Sequence, residues 1–324
     1  MPELPDIELY CEALRRRVVG HTAKSIIVKS VFLLRSVEPP VEAIEGRLVR
    51  GVWRLGKRVV VEFEGELFVV IHLMIAGRLR WADAPAPDFA SPDAGPESAK
   101  VRVGLGANAS GWSKIDLARI RFDSGTLTIT EASQKKRAGL WVVAGREGLH
   151  EHDPGGVEPL TCTRAEFVAT LTRENRTLKR ALTNPHAFAG IGNAYSDEIL
   201  HAARLSPIAL TGKLRSEQLA HLHEATRDTL AMWAAKLKGE FLEPPPGRFP
   251  GPGDVTAFRP DFAVHGKFGQ PCPVCGHKVQ RIIYSENEVN YCPTCQTGGK
   301  VLADRSMSRL LGKDWPRTVE EWEA

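Results

Sequence analysis

No run in the sequence approaches the roughly 18 consecutive apolar residues that a bilayer span requires. The N-terminus, Met1-Pro2-Glu3, also lacks the basic-then-apolar layout of a secretory leader. These absences predict a soluble, intracellular protein with no membrane partner, cytoplasmic or nucleoid-associated if the source is bacterial. Excess charge of one sign is missing too: 43 basic against 39 acidic residues leave a formal net charge of +4. That is too little to declare a polyanionic partner, so local clusters must decide. With six cysteines and no secretory signal, the chain carries no disulfide framework. Disorder is excluded by composition, since 43% hydrophobic and 25% charged residues are ordinary globular values. A length of 324 residues corresponds to about two domains at roughly 150 residues each. The 29 glycines and 22 prolines imply many turns and some long loops.

What is present divides the chain into a β-rich first half and a helical second half. Pro5 suits a first helical turn, and apolar residues recur at Ile7, Cys11, Leu14 and Val18 before Gly20, which predicts an amphipathic helix over 5–19. From 24 to 80, runs such as 25–28, 58–63 and 67–73, broken by Gly46, Gly51, Gly56 and Gly65, predict strands of a sandwich or barrel. Residues 82–99 read as an exposed loop, with strands resuming near 101 and over 118–130. Thr163 followed by Glu166 is a capping-box signature for a helix reaching about 173. Further helices are predicted near 177–183, 194–204 and 216–238, the last ended by Gly239. The 242–255 stretch is too rich in Pro and Gly for a regular element and reads as a linker or functional loop, which would make the residues beyond it a separate unit. Asp304 to Leu311 reads as a short helix packing back on the body, or as a partner contact.

Two motifs carry chemistry. Cys272-x2-Cys275 and Cys292-x2-Cys295, sixteen residues apart, have the spacing of a four-thiolate zinc site. Four protein ligands leave no open position, so such a zinc is structural; the alternative is a redox dithiol pair. At the N-terminus, removal of Met1 would leave Pro2 with a free secondary amine beside Glu3. An α-amino group of pKa near 8 is about a tenth free base at pH 7, a few hundredfold more than a lysine. The competing reading is that Pro2 and Pro5 only rigidify a helix entry.

Met1-Pro2-Glu3-Leu4-Pro5-Asp6-Ile7-Glu8, Gly56-Lys57-Arg58, His72-Leu73-Met74-Ile75-Ala76-Gly77, Gly190-Ile191-Gly192-Asn193-Ala194-Tyr195 and the four-cysteine ribbon, in that order, resemble the formamidopyrimidine-DNA glycosylase / endonuclease VIII family over roughly residues 1–296. The resemblance implies an α+β multidomain fold: an N-terminal helix plus β-sandwich over 1–150 and a helical helix-two-turn-helix domain over 151–241. A Pro/Gly-rich loop or linker would follow over 242–261, then a four-cysteine zinc-ribbon hairpin over 262–300 and an extension over 301–324. The function implied is a bifunctional base-excision enzyme, a DNA glycosylase with AP-lyase activity. It would act as a monomer on damaged double-stranded DNA gripped between the halves, with one structural zinc as its cofactor.

The resemblance implies Pro2 as nucleophile, Glu3 as the acid/base for sugar opening, and Lys57 as the cationic contact beside the lesion. Against these stand a dipole-complementing carboxylate for Glu3 and a solvated turn cation for Lys57. Asp6 replaces the glutamate more usual in the family. His72 and Asn193 match phosphate contacts, with a satisfied core histidine and a plain helix N-cap as the alternatives. Ile75 and Lys136 match positions that fill the void left by an extruded base, while Ala138 replaces the usual aromatic wedge. Lys135, Lys136 and Arg137 lie in the loop the family turns toward DNA, or form a solvated charge run. Asn287 replaces the finger arginine of relatives, so Arg281 is the candidate to compensate, with a surface salt bridge as its alternative. Other functions open at this level are an endonuclease VIII-like preference for oxidised pyrimidines or single strands, a non-enzymatic damage-binding protein, and a zinc-ribbon interaction protein.

Overall fold

The computed structural model describes residues 1–83, 111–284, 287–303, 309–312 and 316–323. The expected strand near 101, most of the 82–99 loop, and residues 304–308 lie outside the described residues. The chain forms two compact units, one of residues 1–153 with 234–256 and one of residues 154–233 with 257–324.

In the first unit, α1 (Leu4–Val18) begins at the N-cap Glu3 with Pro5 in its first turn. Two four-stranded antiparallel sheets follow. One has the order β1-β6-β7-β5, from β1 (Ala23–Val28), β5 (Gly77–Ala82), β6 (Asp116–Phe122) and β7 (Gly125–Glu131). The other has the order β2-β3-β4-β8, from β2 (Val49–Leu55), β3 (Arg58–Phe63), β4 (Leu67–His72) and β8 (Gly139–Ala144), and α2 (Gly145–His150) follows it. The apolar stripe Ile7, Cys11, Leu14 and Val18 joins Val59, Val61, Val69 and Ile71 of one sheet and Leu79, Ile120, Leu127 and Ile129 of the other in a single core. The intervening Val60, Phe68 and Val70 bury with Val143 and Leu149 in a second cluster, as the two-residue period of a strand places alternate side chains on opposite faces.

In the second unit, α3 (Arg164–Thr172) starts on the expected capping box, the Glu166 N–H donating to Thr163 Oγ1 and the Thr163 N–H to Glu166 Oε2. It is followed by α4 (Leu178–Leu182) and α5 (Asn193–Ala202). Phe167 packs on Phe188, and Phe262 packs on Tyr195 and Trp233. A hairpin of β9 (Gln280–Tyr284) and β10 (Asn287–Tyr291) leads into the short α7 (Pro293–Thr297).

Three differences from the sequence reading have physical causes. The long helix α6 runs from Ser216 to Leu242, past Gly239. Leu237, Phe241 and Leu242 bury against Leu9 and Ala13 of α1, and that apolar contact carries the helix through the glycine. The 242–255 stretch is no free linker. Arg17 donates to the Gly247 carbonyl at 2.7 Å and stands 5.5 Å over the Phe249 ring, Phe249 lies 5.9 Å from Tyr10, and Val255 belongs to the core. The described part of the Asp304–Leu311 segment does not pack back: Leu310 is exposed, and it is Val319 that is buried, its N–H donating to the Gly299 carbonyl.

Because Phe249 packs as part of the α1 core, Phe249→Ala is expected to destabilise the first unit by about 2 kcal/mol in urea unfolding. A stretch acting only as a linker would show no change.

Candidate DNA-repair site and zinc centre

Strand register collects the first unit's candidate residues at one end of its two sheets. Arg58, His72 and Gly139 are successive cross-strand partners in one sheet, and Gly77 faces Glu131 in the other. The connections leaving these rows are the ones that carry the candidates. Leu55 pairs with Arg58, so Gly56 and Lys57 form a two-residue hairpin loop, with Gly56 at φ 59°. Such loops require positive φ, which glycine supplies without strain. The loop is braced by Arg54, which donates to the Gly56 carbonyl at 2.9 Å and pairs with Glu8 of α1 at 3.1 Å. Sequence reasoning missed this brace, because 46 residues separate its two side chains.

Between β4 and β5 the chain turns through Met74, whose φ of 52° is left-handed. That costs a non-glycine residue roughly 1–2 kcal/mol. A Cβ on Gly77 would come 2.3 Å from the Leu73 carbonyl oxygen, so the closure of the turn needs glycine. Arg78 donates to the carbonyls of Ile75 and Gly77 at 3.0 and 2.7 Å. The result is an Ile75 side chain that is 57% exposed at the tip of a braced turn.

The other connection is organised by Glu131, which is buried. Its carboxylate accepts the N–H groups of Arg137 and Ala138, and its carbonyl accepts Lys136 Nζ. Arg137 is left exposed and Lys136 half-buried. Ala138 is buried in the core at the start of β8, so it adds no surface wedge.

Glu3 and Asp6 are both buried. The Asp6 carboxylate accepts the Glu3 N–H at 2.9 Å, the returning arm of a capping box, which gives the shortened carboxylate a structural role. Burial lowers the pKa of the terminal amine, here that of Met1, while Glu3 opposes the shift and Arg78 and Lys57 add to it. Burial also lowers the Lys57 pKa, again opposed by Glu3. Burial thus shifts both the terminal amine and the lysine toward the free-base, nucleophilic form, and the one carboxylate of Glu3 opposes the shift at both. Burial, with Arg58 and Lys57 nearby, lowers the His72 pKa to about 4, so its imidazole is neutral at physiological pH.

In the second unit, Gly192 is the N-cap of α5 and Asn193 its first helical residue. Asn193 therefore does not cap; its Nδ2 donates to the Glu288 carbonyl of β10 at 2.9 Å. One turn on, buried Asp197 accepts Lys179 Nζ at 2.5 Å, faces His265 Nδ1 at 2.7 Å and accepts the Asn290 N–H at 3.1 Å. Glu198 accepts three successive N–H groups, from Ala263, Val264 and His265. The hairpin is thereby fastened to α5, and the proline-rich stretch does not isolate it. Asp197, Glu198 and His265 carried no sequence signal, since a lone Asp-Glu pair on a helix reads as solvated.

The sulfurs of Cys272, Cys275, Cys292 and Cys295 all lie within 4.8 Å of one another, with pairs at 3.4 and 3.9 Å. A tetrahedron with Zn–S bonds of about 2.3 Å has edges near 3.8 Å, so four thiolates at these separations fit one structural zinc. Arg281 on β9 pairs with Glu288 at 3.2 Å, and its guanidinium lies 4.3 Å over Phe268; the surface salt bridge is the arrangement present. Asn287 opens β10 opposite Tyr284.

Three stretches match family models: the formamidopyrimidine-DNA glycosylase N-terminal domain over residues 1–123, the formamidopyrimidine-DNA glycosylase H2TH domain over 156–240, and a zinc finger found in FPG and IleRS over 269–298. The chain is 30% identical over 301 residues to a formamidopyrimidine-DNA glycosylase of Thermus thermophilus, covering 92% of this chain and 100% of that protein. It is 42% identical over 164 residues to an uncharacterized formamidopyrimidine-DNA glycosylase-like protein of Mycobacterium tuberculosis, covering 48% of this chain and 93% of the relative. Among solved structures, a Lactococcus lactis Fpg in complex with abasic-site DNA shares the fold at a TM-score of 0.72 and 24% identity, covering 91% of this chain and 99% of that one.

Two measurements test this geometry. Cys275→Ser should lose the bound zinc and, because Asp197 ties the hairpin to the helices, lower the stability of the second unit by more than about 2 kcal/mol; undiminished zinc content would contradict the ligand set. His72, at about 4 when folded against an ordinary histidine value of 6.5, takes up its proton more readily in the unfolded chain. Its contribution is therefore complete above about pH 6.5 and falls away as the pH drops toward 4. Unfolding of His72→Gln should depend less on pH across that window than unfolding of the parent.

Proposed function

Since the chain belongs to the formamidopyrimidine-DNA glycosylase family and is a base-excision repair DNA glycosylase, we propose that it removes oxidised bases through a covalent intermediate on Pro2 and then nicks the strand as an AP lyase. The observation carrying this reading is the setting of the N-terminus: Pro2 and Glu3 are both buried at the head of α1, where burial lowers the pKa of the Met1 amine and of Lys57 while Glu3 opposes both shifts.

With Met1 removed, the Pro2 nitrogen is a secondary amine with a lone pair. It attacks C1′ of the damaged nucleotide while the bond to the base breaks and the base leaves with a proton. The C1′–O4′ bond then breaks as Glu3 delivers a proton to O4′, which opens the sugar ring and leaves an iminium ion between Pro2 and C1′. Removal of a C2′ proton from it expels the 3′ phosphate by β-elimination. Glu3 supplies and takes protons at the sugar, and Lys57, at the tip of its hairpin loop, holds the adjacent phosphate. His72, being neutral, donates one hydrogen bond rather than charge. Ile75 fills the space vacated by the base, and Lys136 and Arg137 contact the backbone nearby. On the second unit Asn193 contacts phosphate, as does Arg281 after exchanging Glu288 for it. The enzyme acts as a monomer inside the cell.

Borohydride added during turnover on lesion-containing duplex should trap the chain on DNA, with peptide mapping placing the link at residue 2. An adduct on Lys57 would overturn the assignment, and binding without any adduct would favour a damage-binding protein. A chain retaining Met1 should form no adduct, because its Pro2 nitrogen is an amide. Glu3→Gln should slow base release by about 10²–10⁴-fold. A panel of single-lesion duplexes and single strands separates oxidised purines from an endonuclease VIII-like preference.

A further inference from the structure

Asn193, Asp197 and His201 recur every fourth residue of α5 and so occupy one helical face. All three meet the zinc hairpin or the segment leading to it: Asn193 at the Glu288 carbonyl, Asp197 at Asn290 and His265, and His201 at the metal site, its Nε2 lying 3.3 Å from Cys272 Sγ. His201 is 6% exposed and Cys272 2%, so the contact is shut off from water. Cysteine ligates zinc as a thiolate, which can only accept a hydrogen bond, so Nε2 must carry the hydrogen. Four thiolates around one zinc leave a formal double negative charge, and donors to sulfur offset it. Cys292 receives such a donor within the ribbon, from the Cys295 N–H at 3.4 Å. For Cys272, the donor comes from α5.

We propose that His201 is a positioning residue of the zinc centre: its Nε2–H holds the Cys272 thiolate in orientation and draws off part of its charge, so that retention of the metal depends on a side chain outside the ribbon. A hydrogen bond of this kind orients the ligand and tunes its basicity, and losing one typically costs about 10–100-fold in metal affinity.

The test uses the full chain with two substitutions. His201→Phe keeps an aromatic ring and removes the donor, whereas His201→Gln keeps an N–H at similar reach. Zinc release to a chromophoric chelator should be about 10-fold or more faster in His201→Phe and close to the parent in His201→Gln. In the cobalt(II)-loaded proteins, the thiolate-to-metal charge-transfer band should move to lower energy in His201→Phe alone, since an unbonded thiolate is more electron-rich. Equal release and an unmoved band in a folded His201→Phe would overturn the proposal. So would a His201→Gln that behaves like His201→Phe, which would make the effect one of packing. Should His201→Phe fail to fold, the unsubstituted chain loaded with NMR-active cadmium decides: the His201 Nε2 proton should show coupling to the metal, and its absence overturns the proposal. None of these readouts involves DNA chemistry, so they stand apart from the fate of Pro2.

Discussion

The carboxylate of Asp197 is the constraint on which the second unit is built. A charge removed from water is tolerated only when it is paired and its oxygens are hydrogen-bonded. Here one oxygen takes Lys179 from α4 and the other takes His265 and the Asn290 N–H. Lys179 also donates to the carbonyl of Asn193, at the start of α5. Three separate stretches of chain therefore converge on this one side chain of α5, and losing it would leave Lys179 buried without its counter-charge. Glu198 repeats the device with three consecutive backbone amides; burial raises its pKa while those amides pull it back down. With the hairpin anchored in this way, the four cysteines and Asn193 are held by the same helix.

The first unit solves a similar problem with Glu131. Its carboxylate, buried at the end of β7, absorbs the N–H groups of Arg137 and Ala138, and that of Ala138 would otherwise be a buried donor without an acceptor. The loop bearing Lys136 and Arg137 is closed by that contact. Since Glu131 faces Gly77, the Ile75 turn and the basic loop leave the same end of the sheet. The capping pair of Glu3 and Asp6 fixes the head of α1 in the same manner. In each case a buried carboxylate organises the backbone by taking up its N–H groups.

Much of the architecture was legible because it depends on local pattern. The periodic apolar residues of α1, the Thr163–Glu166 box and the Cys-x2-Cys pairs each state their structure within a few residues. The reading of Gly239 as a helix end went astray because propensity is weak against burial: Phe241 and Leu242 reach α1, and that contact outweighs the roughly 1 kcal/mol that glycine costs inside a helix. The 242–255 stretch reads as a linker or functional loop for the same reason. Its Pro and Gly content reports backbone habit and says nothing of Phe249 and Val255 finding the core.

By itself the sequence determined the helix of the N-terminus and the four-thiolate zinc site, which are written in spacing along the chain, and the family, through the ordered motifs that resemble it. Only the tertiary structure decided that Asn193 bonds the hairpin rather than capping α5, that Arg54 and Glu8 brace the Lys57 turn, that Arg281 pairs with Glu288, and that His201 reaches Cys272. The closest of these pairs are seven residues apart and the farthest 95. No periodicity of helix or strand links such positions; their meeting is set by how the elements pack and by the need of buried charges and amides for partners.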